Sequence, residues 1–261
     1  MNFSSLIGLT FGISVMYEAL ALTSDNMKMF LSLHGILIVC GGTAAATSIS
    51  YPLRDIFNLL KVFLLRVLGR NHINFQLIIS QIIELNKKSA QGIASISELI
   101  PQLKHEFLKE AVSLIVTGIL TEQEIRAALE QRIKTIQTRY LYEANMFRTI
   151  GRFPPAFGLL ATTLGMIDLL QKLGQPDSQK MIGPSMSIGL VGTLYGITLS
   201  NLILIPIAEN LTERTHEEIA LRKMIIEGAI LIKTQVNPIA MRERMNSYLL
   251  PRHRLVRAGK A

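Results

Sequence analysis

Two threonines set in apolar sequence are the side chains here with the most to offer chemically: Thr162 in "PPAFGLLATTLGMIDLL" and Thr193 in "GLVGTLYGITLSNLILIP". A hydroxyl in hydrocarbon either bonds back to its own helix or lends its oxygen to something polar on a pathway. Back-bonding is the commoner fate of one isolated threonine. Two of them on facing stripes of small residues invite the second reading. Gly189, Gly192, Thr193, Gly196 and Ser200 succeed one another at helical steps, so they share a face. Gly158, Ala161, Thr162 and Gly165 repeat the arrangement. In lipid such faces are where helix backbones approach closely, and helix packing alone accounts for the glycines. Pro155, after Pro154, opens one apolar run, whereas Pro206 closes the other. Proline suits a first helical turn. Pro206 removes a helix hydrogen bond and is expected to kink the span it ends, coupling that span mechanically to the cytoplasmic part of the chain.

The chain carries no phosphate loop, no metal-spaced His/Cys set and no nucleophile–base pair, so enzyme chemistry, a resident metal and a cofactor are not expected. Cys40 is the single cysteine, which rules out an intrachain disulfide. Within the apolar runs, Glu18 and Asp168 fall near one surface and are expected to snorkel, and His34 reads as hydrogen-bonded structure. If an ion crosses here, its carboxylate has to come from another chain.

These residues need a membrane to position them. Of 261 residues, 49% are hydrophobic and only 18% charged, too apolar for an ordinary soluble domain and too charged to lie wholly in lipid. Four segments reach spanning length: Phe3–Leu22, Met29–Tyr51, Phe153–Leu170 and Met186–Ala208. Between the second and third, "INFQLIISQIIELNKK" and "LKHEFLKEAVSLIVTG" have helix-period hydrophobics with charges opposite, and Thr121 to Glu124 reads as a capping box. The expected fold is all-α, a polytopic membrane protein with four transmembrane helices and a helical cytoplasmic domain. Its parts are transmembrane helices 1 and 2 over 1–51, the cytoplasmic domain over 52–152, helices 3 and 4 over 153–208, and a cytoplasmic helix with a basic tail over 209–261. The net charge of +8 is distributed as the positive-inside rule requires. Arg54, Lys61, Arg66, Arg70, Arg139, Arg148, Arg152, Arg214, Arg222 and Lys223 mark one side, against Lys28, Lys172 and Lys180 on the other. Both termini are therefore expected in the cytoplasm. No recognition motif accompanies the charge, so nucleic acid is not an expected partner.

In this order, the stretches "LIVCGGTAAATSISYPLRDIFNLLKVF", "HEFLKEAVSLIVTG", "PPAFGLLATTLGMIDLL", "GLVGTLYGITLSNLILIP" and "VNPIAMRERMNSYLLPRHR" resemble the flagellar stator A-subunit family over nearly the whole chain. That family is called MotA in proton motors and PomA in sodium motors. The resemblance implies an inner-membrane, ion-driven subunit that self-associates as a ring, a pentamer in the family, around a MotB/PomB-type partner. The partner has one span, a peptidoglycan-binding domain and the ion-carrying aspartate. It also implies contact with the flagellar rotor, or switch, protein. Pro155 and Pro206 match the family's coupling prolines, and Thr193 its threonine facing the partner's aspartate. Thr162 stands where sodium-driven members have threonine and proton-driven ones alanine. Two hydroxyl oxygens beside a carboxylate suit a hard cation that sheds water, which favours transient sodium over the proton. Gly158, Gly165, Gly189, Gly192 and Gly196 form the packing and pore face.

The rotor-facing segment departs from the family's Arg-rich pattern. Here it reads "KSAQGIASIS", with Ser89, Ala90 and Ser97 at the charged positions, leaving Lys87, Lys88 and Glu98 as candidate rotor-facing charges. Two alternatives stand beside the stator reading: an ExbB/TolQ-type energiser of outer-membrane processes, and a membrane scaffold that conducts nothing.

Overall fold

The computed structural model describes residues 3–63, 65, 74–173 and 178–255, with side chains described from residue 7 onward except at 178 and 253. Arg66, Arg70 and the basic residues after 255 lie outside the described residues. Every regular element among the described residues is helical. The chain divides into two compact units: Met1–Asn71 with Tyr140–Glu213, and His72–Arg139 with Arg214–Ala261.

The first unit holds the apolar helices. α1 (Phe3–Thr23) contains 21 residues, about 31 Å at a rise of about 1.5 Å per residue, which matches a bilayer core. The second span does not start as a regular helix at Met29. A 3-10 turn, Met27–Phe30, ends at an extended Leu31, and Ser32 then caps α2 (Leu33–Ile36) by accepting the Gly35 N–H. A π turn, Leu37–Gly41, leads into α3 (Gly42–Ser50). Pro52 is extended and starts α4 (Leu53–Val62). α7 (Glu122–Ile150) ends in a turn before α8 (Phe153–Lys172), which starts on Pro154 and Pro155 as a first-turn pair. α9 (Ser178–Thr198) passes through a π turn, Leu199–Leu204, into α10 (Ile205–Lys233). Apolar stretches of spanning length are Met27–Ser50 and parts of Glu122–Lys172 and Gln179–Lys233, with Ile7–Thr23 as a shorter apolar helix. The protein is a multi-pass membrane protein.

Pro206 is thus not simply a kink at the end of a span. Its missing N–H and its ring would disturb a regular α-helix at the carbonyl four residues back. The π turn directly before it widens the helix at that point, and the proline falls in the first turn of α10.

The second unit is held by helix-period apolar faces. α5 (Phe75–Ser89) buries Ile78, Ile79, Ile82, Ile83 and Leu85, and α6 (Glu106–Val116) buries Phe107, Leu108, Ala111, Val112 and Ile115. Residues 122–139 of α7, residues 214–233 of α10 and α11 (Pro238–Asn246) complete the same core through Leu129, Met224, Ile230 and Met241. Burying one such side chain fully is worth about 1.5–3 kcal/mol. The expected capping box is present: the Thr121 N–H donates to Glu124 Oε2 at 2.8 Å, and the Glu124 N–H returns to Thr121 Oγ1 at 3.3 Å.

Arg222, a positive-inside marker in the sequence, lies buried in this unit. It pairs with Glu218 at 2.9 Å and sits over the Phe107 ring at 5.8 Å, while its Nε and Nη1 have no hydrogen-bond partner among the described residues. His105 lies within its field. Burial, and then the Arg222 charge, hold the His105 pKa below 6.5, with Glu218 and Glu106 opposing. A folded-state pKa below the unfolded value means the unfolded chain binds more protons between the two. This contribution to stability is therefore complete above about pH 6.5 and is lost as pH falls below it. The unfolding midpoint of the purified protein is expected to drop between about pH 7.5 and about pH 5.5 more steeply in wild type than in His105→Gln. Equal slopes would remove His105 from the account.

Candidate functional site

The two small-residue stripes meet. α8 and α9 pack backbone to backbone, and the glycines show why. A Cβ added at Gly189 would lie 2.8 Å from Thr162 Cα, and one at Gly158 would lie 3.0 Å from Thr193 Cα. At Gly165 the obstacles are Ser185 O at 2.7 Å and Gly189 N at 3.0 Å. Gly192 faces Ala161, and Gly196 faces the Pro154 carbonyl. Gly35 of α2 closes on Gly192 with its would-be Cβ 3.4 Å from the Gly192 Cα.

Across this seam the expected threonines touch. Thr162 Oγ1 and Thr193 Oγ1 are 2.6 Å apart. The Thr193 hydroxyl donates to the Gly158 carbonyl on the opposite helix at 3.0 Å, and Thr162 reaches the Gly189 carbonyl, also opposite, at 3.0 Å. Both are half-buried. Each hydroxyl has a single proton, and two oxygens 2.6 Å apart need one between them, so one threonine donates to the other and one proton is left for the two carbonyls. The result is a compact group of four oxygens, two hydroxyl and two carbonyl, with no carboxylate bonded to either hydroxyl among the described residues. Oxygen-only surroundings of this kind suit a hard cation. Thr163, next in sequence, is outside the group: it is exposed and bonds back to the Leu159 carbonyl at 3.1 Å.

Pro155 stands in the first turn of α8, one position after buried Pro154. Near the same end, buried Ser200 donates to the Gly151 carbonyl at 2.5 Å, so the π turn before Pro206 is tied to the residues that precede α8. Residues 140–150 of α7 pack with α4 and the start of α10 through Leu59, Met146, Phe147, Ile150, Ala208 and Leu211. Arg148 grips the Glu209 carboxylate there with Nε at 3.2 Å and Nη2 at 3.0 Å.

Asp168 does not snorkel as a lone carboxylate. Ser185 donates to its Oδ2 at 2.5 Å and Lys172 at 2.6 Å. The Asp-to-Lys spacing of four residues on one helix was visible in the sequence; Ser185 comes from α9 and was not. A second unforeseen contact is the Tyr195 hydroxyl, which donates to the Phe30 carbonyl at 2.5 Å and accepts the Ser32 N–H at 3.1 Å.

The candidate rotor-facing charges lie in the other unit. Lys88 and Glu98 pair with each other at 3.3 Å, bridging the end of α5 and the 3-10 segment Ile93–Gln102. Gly92 joins the two at φ +118, a conformation that favours glycine. Ser89 is fully buried with its hydroxyl on the Asn86 carbonyl, and Ser97, exposed, bonds back to Ala94. Neither serine offers a charge to a partner.

Residues 100–224 match the model of the MotA/TolQ/ExbB proton channel family. The chain is 31% identical over 215 residues to the YtxD protein of Bacillus subtilis, covering 82% of this chain and 77% of that one. It is 28% identical over 254 residues to the chemotaxis protein PomA of Vibrio alginolyticus, covering 95% and 96%. The structure of C. jejuni MotAB has the same fold, with a TM-score of 0.88 at 20% identity over 98% of this chain and 100% of that one. Three apolar helices of spanning length with a shorter one before them, the stripes, the seam and these likenesses agree, and the chain belongs to the MotA/TolQ/ExbB proton channel family, in its MotA/PomA group.

Proposed function

We propose that this chain is the ion-conducting subunit of a flagellar stator, passing sodium in preference to protons along a path shared with a MotB/PomB-type partner. Members of the family are ion-channel stator components and not enzymes. One observation carries the reading: the oxygen group at Thr162 and Thr193, on a glycine-lined helix seam, with no carboxylate bonded to either hydroxyl among the described residues. A cation arriving there needs an anionic ligand, and a partner helix with an aspartate supplies it. The threonine oxygens then replace part of the water the ion sheds. A proton needs no such shell.

In this mechanism the subunits form a ring, a pentamer as in the family, around the partner's single spans, with lipid outside and both termini in the cytoplasm. Loading the partner's aspartate changes what the Thr162–Thr193 pair bonds to. Pro155 and Pro206, at the cytoplasmic ends of α8 and of the fourth span, turn that change into movement of the cytoplasmic helices. Lys87, Lys88 and Glu98 are the charges offered to the rotor protein.

The test is swimming speed in a stator-deleted host carrying this chain and its partner. Speed should rise with sodium at fixed proton-motive force, and Thr162→Ala should weaken that dependence about tenfold in half-saturating sodium. Thr193→Ala should lose more speed than Leu194→Ala, since only the former removes a ligand. A flat sodium titration overturns the choice of ion, while equal effects at Thr193 and Leu194 favour a seam that only packs.

A further inference from the structure

A membrane-embedded carboxylate is expensive and is kept where it handles charge. Asp168 falls near the end of the apolar run Phe153–Leu170, and the stator reading gives it no task. It sits six residues along α8 from Thr162, about 9 Å by helical rise, toward the end of the seam where α8 is joined to α9. It lies on the seam itself, since the Ser185 hydroxyl that binds it is 1% exposed and belongs to the α9 face on which Gly165 packs. Its other partner, Lys172, is held at 2.6 Å and also reaches Ser185 Oγ at 3.5 Å. The Asp168 and Lys172 side chains remain 39% and 35% accessible, so an ion approaching from that end of the seam meets them before the threonines.

Resting on the stator reading, we propose that Asp168 is the cation-capture residue at the outward end of the pathway and that Lys172 is its internal competitor. The Lys172 ammonium occupies the carboxylate when no ion is present. An arriving cation displaces it and moves on to the threonine oxygens over the outer face of the helix pair, the seam itself being closed by backbone contact, and the ammonium returns. Ser185 keeps the carboxylate aimed into the seam in both states. Lys172 thereby sets how much external cation is needed, without being a ligand.

A structural lock would need the same pair of residues, and the two roles separate cleanly. If the ion pair only fastens α8, removing either partner breaks the same bond and both variants change alike. If Asp168 captures cations, the two changes run in opposite directions. The experiment uses the chain with its partner in a stator-deleted host, reading speed against external sodium at fixed pH and against external pH at fixed sodium. Half-saturation is taken for the cation that wild type responds to. Asp168→Asn, which keeps the Ser185 contact, should raise the half-saturating concentration about tenfold, and Lys172→Gln should lower it about threefold, the scale of an electrostatic effect on local cation concentration. Asp168→Asn with Lys172→Gln should behave as Asp168→Asn. Thr163→Ala, whose hydroxyl only bonds back to its own helix, serves as the control, and immunoblots establish equal amounts in the membrane.

Shifts of the same sign in both single variants, or no shift in either, overturn the capture role. A wild-type assembly that responds to neither cation removes the stator reading and this inference with it. A responsive wild type with unresponsive variants removes the inference alone.

Discussion

Gly189→Val is expected to disable the protein, whereas Gly183→Val six residues earlier on the same helix is expected to be tolerated. At Gly189 the first side-chain atom would lie 2.8 Å from Thr162 Cα, 3.3 Å from Thr162 O and 3.5 Å from Ala161 O. All three are backbone, so no rotamer change relieves the contact and α8 must move away from α9. That movement also parts the Thr162 and Thr193 hydroxyls, now 2.6 Å apart. Overpacking of a tight interface costs about 3 kcal/mol. In the bilayer there is no hydrophobic drive to press the helices back together, because lipid is as apolar as leucine. At Gly183 no atom of the described residues lies within 4 Å of an added Cβ, so a side chain there meets none of them. The comparison is made on the amount of protein in the membrane and on its melting temperature in detergent. Equal behaviour of the two variants would mean that the seam does not hold the unit together.

The second large effect belongs to the other unit. Ile82 on α5 is fully buried and fills the space that Gly228 of α10 leaves open. A Cβ at Gly228 would stand 2.8 Å from both Cδ1 and Cγ2 of Ile82. Ile82→Ala should cost about 3 kcal/mol, lost transfer energy plus the cavity. Gly228→Ala alone should cost about 1 kcal/mol, its overpacking partly offset by a gain in helix propensity of about 0.8 kcal/mol. In the double variant the new methyl enters the space the isoleucine vacated. The pair should therefore be less damaging than the sum by about 1 kcal/mol, read as a coupling in a double-mutant cycle of denaturant midpoints. Additive losses would show that the two positions do not share a contact, contrary to the packing described.

Both predictions start from patterns visible in the amino-acid sequence, but those patterns alone do not yield them. Long apolar runs and three-and-four spacing made the spans and the amphipathic helices legible, because a helix repeats every 3.6 residues whatever it packs on. The Thr121–Glu124 capping box was equally local and formed as expected. Gly158, Gly165, Gly189, Gly192 and Gly196 announced close approach, since small residues have little other reason to align in lipid.

Tertiary structure decided which faces meet and what each polar group bonds to. No periodicity distinguishes Thr162, whose hydroxyl crosses the seam, from its neighbour Thr163, which turns back on its own helix. The pairing of Asp168 with Ser185 needed α9 to lie against α8, so from sequence the carboxylate read as a lone group heading for the surface. Arg222 read as a flanking surface charge because its span suggested it, and the fold buried it beside Glu218 and Phe107. Local periodicity thus determined the helices and their sticky faces. Which oxygens gather at one point depended on contacts between residues tens of positions apart, such as Thr162 with Thr193, and such pairings exist only once the backbones are close.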